Sequence, residues 1–466
     1  MSGERGGAIA RASQHFDSGA FTAGLARLVA RPTQSQLPNA HSALAEYFDK
    51  TIGPDLTALG FTTDLFRNPE PDAGPILIAR RHENEALPTV LIYGHGDVVV
   101  GQDDRWSSGL TPWTLTVKEG RLYGRGTADN KGQHWTNLGG LRAVIEERGS
   151  LDFNCTLLLE SDEEMGSRGL RTFCEQNLDL LRADVLIASD GPRLDPECAT
   201  IVLGSRGLIN FELALKLRVG DHHSGNWGGL IRDPGTLLSH ALASITDARG
   251  QIIVPEWRPI SLTPDIRDIL SEIKVAGGPG APEIDLDWGE EGLSPEERVY
   301  GWNSFSVLAL SLGNPAKPQN AISSEARAVC QLRYVVGTNP DDVIPALRRH
   351  LDRNGFENVI ITPTQMAGMR ATRQDHNNSW VQMTQESIVK TLRKPAGLVP
   401  NIGGGIPNDI FSEVLGLPTV WVPHSYAGCN QHAPNEHMLE SVAREGLQVM
   451  AGLFWDIGAE KSSSQR

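Results

Sequence analysis

The sequence predicts an α/β domain built on a mostly parallel sheet and interrupted by an inserted α+β domain. Three observations lead there. Short, continuously apolar runs lead into loops bearing Gly, Asp or Glu and then into helix-like patterns, which is how strands buried on both faces in β/α units read. From about residue 206 the texture changes to alternation with a period of two, the mark of strands with one solvated face. After about residue 372 the β/α texture returns. The 466 residues, at ~150 per domain, have room for both, and divide into 1–205 and 373–466 for the split domain and 206–372 for the insert.

In the first segment, residues 89–93 (TVLIY), 155–159 (CTLLL) and 183–188 (ADVLIA) are expected strands, and 419–422 (TVWV) rejoins the same sheet near the C-terminus. Between the first two, 131–148 (KGQHWTNLGGLRAVIEER) has the spaced apolar positions and charged end of a crossover helix. In the insert, FELALKLRV (211–219), QIIV (251–254), FSVLALSL (305–312) and ARAVCQLRYVV (326–336) alternate and are expected strands, with helices over 234–246 and 341–354.

Composition removes several function classes. Asp and Glu total 57 against 42 for Lys and Arg, a net charge of −15, so a phosphate backbone or an anionic membrane is repelled and neither is an expected partner. The five cysteines lie far apart without a C-x-x-C pair, which excludes a disulfide framework and a thiolate zinc site and fits a cytoplasmic setting. No stretch approaches the ~20 apolar residues of a membrane span, and residues 1–13 lack the apolar core of a secretory signal.

Five polar clusters follow these runs. Gly94-His95-Gly96-Asp97 ends the first strand. Residues two apart on an extended chain face the same way, so Asp97 can orient His95 as carboxylates orient ligating histidines; a plain surface turn has the same letters. Residues 124–132 (GRGTADNKG) open the 131–148 helix. Such loops often cradle phosphate, but Asp129 stands where the third Gly of a dinucleotide fingerprint belongs, and no G-x-x-x-x-G-K-[ST] is present. A helix N-cap is the local alternative for Asp129. In 160–167 (ESDEEMGS), four carboxylates within five positions repel one another unless cations or protons intervene; a solvated acidic loop is the alternative there. Ser189-Asp190-Gly191 ends the next strand, and 431–436 (QHAPNE) comes soon after the last. Together His95, Asp129, Glu164, Asp190 and His432 gather imidazoles and carboxylates, without thiolate, on loops of one predicted sheet. That is the donor set of a hard-to-borderline divalent metal.

The ordered set H-x-D (95–97), G-R-G-x-x-D-x-K-G (124–132), D-E-E-x-G-S (162–167), S-D-G (189–191) and H-x-x-N-E (432–436) resembles the M20 metallopeptidase family of carboxypeptidases, aminoacylases, desuccinylases and dipeptidases, over roughly residues 20–455. The resemblance implies a catalytic α/β domain with an inserted lid that forms a homodimer. It implies two divalent ions per subunit, zinc with manganese or cobalt as alternatives: His95 and Asp190 on one, Glu164 and His432 on the other, Asp129 bridging, and Asp97 steadying His95. Glu163 would be the general base. Residues 221–229 (DHHSGNWGG) are similar to a dipeptidase-type H-S-G segment, which implies that His223 reaches the partner's active site and stabilises the oxyanion. Asn320 and Arg333 match lid positions that hold the substrate, Arg333 by its carboxylate.

By the same resemblance the chain would be a hydrolase that cleaves an amide or peptide bond of a small carboxylate-bearing substrate, a dipeptide or an N-acyl amino acid. Asp190, rather than Glu, points to the dipeptidase and aminoacylase branches. Residues 401–407 (NIGGGIP) depart from the dipeptidase pattern, in which an acid precedes Gly-Gly-Ser-Ile-Pro. Ile402 stands where that acid would meet a free α-amino group, and an apolar side chain cannot pair with ammonium. An N-capped amide is therefore expected at least as readily as a free dipeptide. Gly404 and Gly405 would let the backbone approach the ligand closely. Other readings stand beside this one: a deacetylase or aminohydrolase acting on a non-peptide amide, amidine or aryl amine; a nucleotide-dependent enzyme, against which Asp129 argues; and a non-catalytic binding protein on the same fold, which would have no use for Glu163. No G-x-S-x-G is present to support a serine hydrolase.

Overall fold

In the computed structural model, which describes residues 3–38, 40–275, 282–364 and 369–464, the four apolar runs become neighbours: β3 (Thr89–His95), β6 (Asn154–Glu160), β7 (Val185–Ala188) and β17 (Thr419–Trp421). They pair in parallel as β6-β3-β7-β17. With β1 (Thr62–Phe66), β2 (Ile76–Arg81), β9 (Thr200–Val202) and β16 (Gly397–Val399) they form an eight-stranded sheet in the order β1-β2-β6-β3-β7-β17-β9-β16. Antiparallel pairing begins at the two borders of this group, where β2 joins β6 and β9 joins β17, and continues between β1 and β2.

Successive residues of the central strands feed opposite cores, which is why they read as unbroken apolar runs. Val90, Ile92, Leu157, Leu159, Val185 and Ile187 pack under the helices Ala20–Val29, Lys131–Arg148 and Glu440–Ser464. Leu91, Tyr93, Leu158, Leu186 and Trp421 pack on the other face with Phe173 and Phe411. The Lys131–Arg148 helix begins and ends where the sequence predicts. Its Gly140 permits close contact: a Cβ there would lie 2.7 Å from Met450 Cβ. Lys131 is buried and donates to the carbonyls of Leu28, in the last turn of the Ala20–Val29 helix, and of Arg31, just past its end.

The insert is an antiparallel sheet of β10 (Gly207–Lys216), β12 (Ser304–Ser311), β14 (Glu325–Tyr334) and β15 (Ile360–Pro363), in the order β12-β14-β10-β15. Phe211, Leu213, Leu215, Ala328, Cys330 and Leu332 face the helices Pro234–Ile245 and Val343–Arg353. QIIV is a correction: Ile252 makes an isolated bridge to Thr246 but no strand forms. Ile252 and Val254 are buried in this core, so their alternation reflects loop packing, and the turn beginning at Pro255 ends it. Ile266, Leu270 and Tyr300 of the insert join the second core of the large sheet.

Three small sheets complete the scaffold. β8 (Pro192–Arg193) pairs with β18 (Ser425–Tyr426), and β11 (His222–His223) with β13 (Ala321–Ile322). β4 (Thr116–Lys118), β5 (Arg121–Tyr123) and β19 (His437–Leu439) form the third, in the order β19-β5-β4. No helix among the described residues is long and apolar enough to cross a membrane.

Candidate active site

His95 is the last residue of β3 and is fully buried. Its Nδ1 faces Asp97, 3.1 Å from the backbone oxygen and 3.3 Å from Oδ1. That leaves Nε2 pointing at Asp129 Oδ1 (3.1 Å) and Asp190 Oδ2 (3.7 Å). Asp97 also accepts from the backbone N–H groups of Glu163 and Glu164. One carboxylate thus ties the end of β3 to the turn after β6.

Asp129 departs from the sequence prediction that all five ligands lie on loops of one sheet. It follows β5, and His432 precedes β19; Tyr123 pairs with His437, so the three-stranded sheet brings both loops together. Asp129 is no helix cap either, since Asn130 holds that position and makes no capping bond with its side chain. Asn130 instead accepts from the His95 N–H and donates to the Ser189 carbonyl, joining the ends of β3 and β7.

The result is two groups of three that share Asp129: His95, Asp129 and Asp190, and Asp129, Glu164 and His432. In each, one ligand atom per residue lies within 4.8 Å of the others. Asp129 gives Oδ1 to His95 and Oδ2 to His432, the latter at 3.1 Å. His432 Nε2 is also 3.1 Å from Glu164 Oε2, while Glu164 Oε1 is buried without a hydrogen-bond partner. Nitrogen and carboxylate donors with a bridging acid and an orphaned buried oxygen fit two hard-to-borderline divalent cations. Glu163 belongs to neither group, yet its Oε2 is 4.0 Å from His95 Nε2.

The electrostatics agree with a cation site. Burial, and then the charge of Asp129, push Asp190 up to about 6 and Glu164 up to about 7. Burial, partly countered by His95, holds Glu163 well above the ordinary range. Burial works to raise Asp129 as well, but the imidazoles of His432 and His95 pull it below its usual value. His432 rises to about 11 through Asp129 and Glu164. Protons here do what metal ions would do: separate carboxylates that cannot all be charged together.

The acidic run 160–164 resolves into separate fates. Glu160 points into the core, where it accepts from Tyr93 and Ser167, and burial lifts it to about 8. Asp162 pairs with Arg168. Only Glu163 and Glu164 reach the centre.

Arg333 meets the glycine loop, with Nη1 3.3 Å from the Gly403 carbonyl. Nothing lies within 4 Å of a Cβ built on Gly404, whereas one on Gly405 would be 2.7 Å from Met369 Sδ. His223 stays apart: it is exposed, accepts from the Gly225 N–H and pairs with Ala321. Asn320 lies beside it and accepts from Ser224. Sequence reasoning missed Glu436, whose carboxylate holds Arg125 and the N–H groups of Gly126, Ala128 and Asp129. Its signal was the final Glu of H-x-x-N-E, but the partner lies across the fold.

The family model of peptidase family M20/M25/M40 matches residues 91–456. Beta-Ala-His dipeptidase of Homo sapiens is 34% identical over 410 residues, covering 82% of this chain and 77% of that one. Cys-Gly metallodipeptidase DUG1 of Saccharomyces cerevisiae is 27% identical over 447 residues, covering 88% and 90%. The crystal structure of human carnosine dipeptidase 1 shares the fold, with a TM-score of 0.73 and 22% identity over 97% of this chain and 99% of that one. A solved structure of Dug1p from Saccharomyces cerevisiae does so with a TM-score of 0.76 and 19% identity over 97% and 99%. The chain therefore belongs to peptidase family M20/M25/M40 and is a metallohydrolase.

Proposed function

We propose that the protein is a two-metal hydrolase of dipeptide-like or N-acyl amino-acid substrates, with His95 and Asp190 on one ion, Glu164 and His432 on the other and Asp129 between them. The observation that carries this is Asp129, which turns one oxygen to each ligand group while Glu163 stands 4.0 Å from His95 and belongs to neither group. Zinc is our first assignment, with manganese or cobalt suited to the same donors. Bound there, divalent metal supplies Lewis-acid polarisation of the scissile carbonyl and a water of lowered pKa. Glu163 takes a proton from the attacking water as the C–O bond forms. It then delivers that proton to the leaving nitrogen as the C–N bond breaks. Arg333 and the Gly403–Gly405 backbone hold the substrate carboxylate end. The five free cysteines support a cytoplasmic setting.

Ile402 favours capped substrates. It is buried, and its Cδ1 would be 3.1 Å from a Cβ on Gly191, beside Asp190. An apolar side chain there offers nothing to a free ammonium. A screen of dipeptides and N-acyl and N-carbamoyl amino acids, with zinc, manganese and cobalt added separately, tests this. N-acyl substrates are expected to reach a kcat/KM at least equal to that of the matching free dipeptides. A clear preference for the free amines overturns the assignment of Ile402.

A homodimer through the insert is the assembly we assign. β12 is an edge strand whose Val307, Leu308 and Leu310 are exposed, and such an edge invites pairing with another chain. In this assembly His223 serves the partner's site. Mixing two separately inactive variants, His223→Ala and Glu163→Gln, under conditions that exchange subunits is then expected to restore about a quarter of wild-type activity, because half the chains enter mixed dimers with one complete site each. No recovery in verified mixed dimers would place His223 outside the reaction.

A further inference from the structure

Between the helical segment Tyr47–Ile52 and the ends of β3 and β7 runs a row of buried polar side chains that the reaction itself does not use. Tyr47, Asn130 and His134 are each at most 1% exposed. Asn130 and His134 stand one turn apart at the start of the Lys131–Arg148 helix. Gly94 lets that turn close on β3: a Cβ there would lie 2.8 Å from His134 Cβ and 3.1 Å from Asn130 Oδ1. His134 Nε2 is 2.8 Å from the Tyr47 hydroxyl, and its Nδ1 is 3.3 Å from Asn130 Oδ1. The Tyr47 ring is itself held, with its centroid 5.0 Å from the ammonium of the buried Lys131.

The direction of every bond in this row is fixed by its partners. Asn130 Nδ2 donates to the Ser189 carbonyl (2.8 Å) and its Oδ1 accepts from the His95 N–H (3.4 Å); neither backbone group can play the opposite part. Oδ1 only accepts, so His134 meets it with a proton on Nδ1. Burial, and then the charges of His95 and Lys131, lower the imidazole to about 3, so the ring is neutral and carries that one proton. Nε2 is then the acceptor, and the Tyr47 O–H donates to it. The hydroxyl thus sets the tautomer of His134, and the imidazole holds Asn130. Asn130 in turn ties the backbone of one candidate ligand, His95, to the residue before another, Asp190.

We propose that Tyr47 and His134 are positioning residues for the metal centre: through Asn130 they fix the spacing of the ends of β3 and β7, and with it the placement of His95 and Asp190 on one ion. This rests on the two-metal reading above and assigns two residues outside its ligand set. The group of Asp129, Glu164 and His432 is held by other means, since Glu436 accepts from the Asp129 N–H and Asp97 from the Glu164 N–H. Loss of the Tyr47 hydroxyl therefore falls chiefly on the site of His95 and Asp190.

The test is zinc affinity of the full-length protein, titrated against a competing chelator, in the wild type and in variants that keep one site each. His432→Ala leaves His95, Asp129 and Asp190 in place, and Asp190→Ala leaves Asp129, Glu164 and His432. Adding Tyr47→Phe, which removes only the hydroxyl, is expected to weaken zinc about 10-fold in the His432→Ala background, the low end of the range for groups that support a ligand, and less than about 3-fold in the Asp190→Ala background. Unchanged affinity in the first background, or equal weakening in both, overturns the proposal and leaves the two-metal reading intact. A wild-type protein that binds no zinc overturns the proposal together with that reading. A second measurement does not depend on the folding of Tyr47→Phe: nitrogen NMR of wild-type protein carrying isotope-labelled histidine, with the His134 signals identified by their loss in His134→Gln. His134 is expected as the Nδ1–H tautomer, and an Nε2–H tautomer overturns the proposal.

Discussion

Glu163→Gln is expected to lower kcat by ~100- to 10,000-fold, the range of a positioned general base, while the protein still binds metal at both sites. The substitution keeps the shape and removes only the capacity to accept a proton. Glu163 is outside both ligand groups, so both keep their donors. Its carboxyl is held well above the ordinary range by burial, against the pull of His95 and with the support of Asp190 and Glu164. Metal analysis of the purified variant beside its kcat decides the matter: full activity with metal bound removes Glu163 from the reaction, and low activity with metal lost makes it a ligand.

What was legible before the structure depended on how local the physics was. The central strands announced themselves because both faces are buried, so 89–93 and 155–159 could be little else. The Lys131–Arg148 helix was equally plain. The candidate metal donors were legible as letters, since each cluster stands near a strand or helix end. Their arrangement was not. Nothing local says that Glu160 turns into the core, that Asp162 goes to Arg168, or that the tight turn Glu163–Met165 delivers the remaining two acids to His95 and His432. The pairing of β5 with β19, which sets Asp129 beside His432, joins segments about three hundred residues apart. QIIV misled for the converse reason: its alternation obeyed the core, not a ladder.

The same distance in sequence hides the residue expected to matter most for the scaffold of the site. Glu436→Ala is expected to cost about 3–5 kcal/mol of stability, the range for breaking one side of a buried ion pair, and to weaken metal binding as well. Glu436 and Arg125 are each 1% exposed in their side chains and lie 2.7 Å apart. The same carboxylate accepts from the N–H groups of Gly126, Ala128 and Asp129 at 2.9–3.0 Å. Its removal leaves the Arg125 guanidinium buried without its counter-charge, though still bonded to the Val100 carbonyl, leaves three backbone donors without their acceptor, and frees the loop that aims Asp129 at both ligand groups. Two effects are bound up in that variant, and replacing both partners separates them. Arg125→Met with Glu436→Leu removes the uncompensated cation, and such apolar replacements are often close to neutral, so part of the stability returns. The loop N–H groups gain no acceptor from leucine, so metal affinity does not return. Chemical denaturation read beside metal titration against a competing chelator follows both quantities. Wild-type metal affinity in folded Glu436→Ala would show that Asp129 is held by the rest of its loop, and would reduce Glu436 to a partner for Arg125.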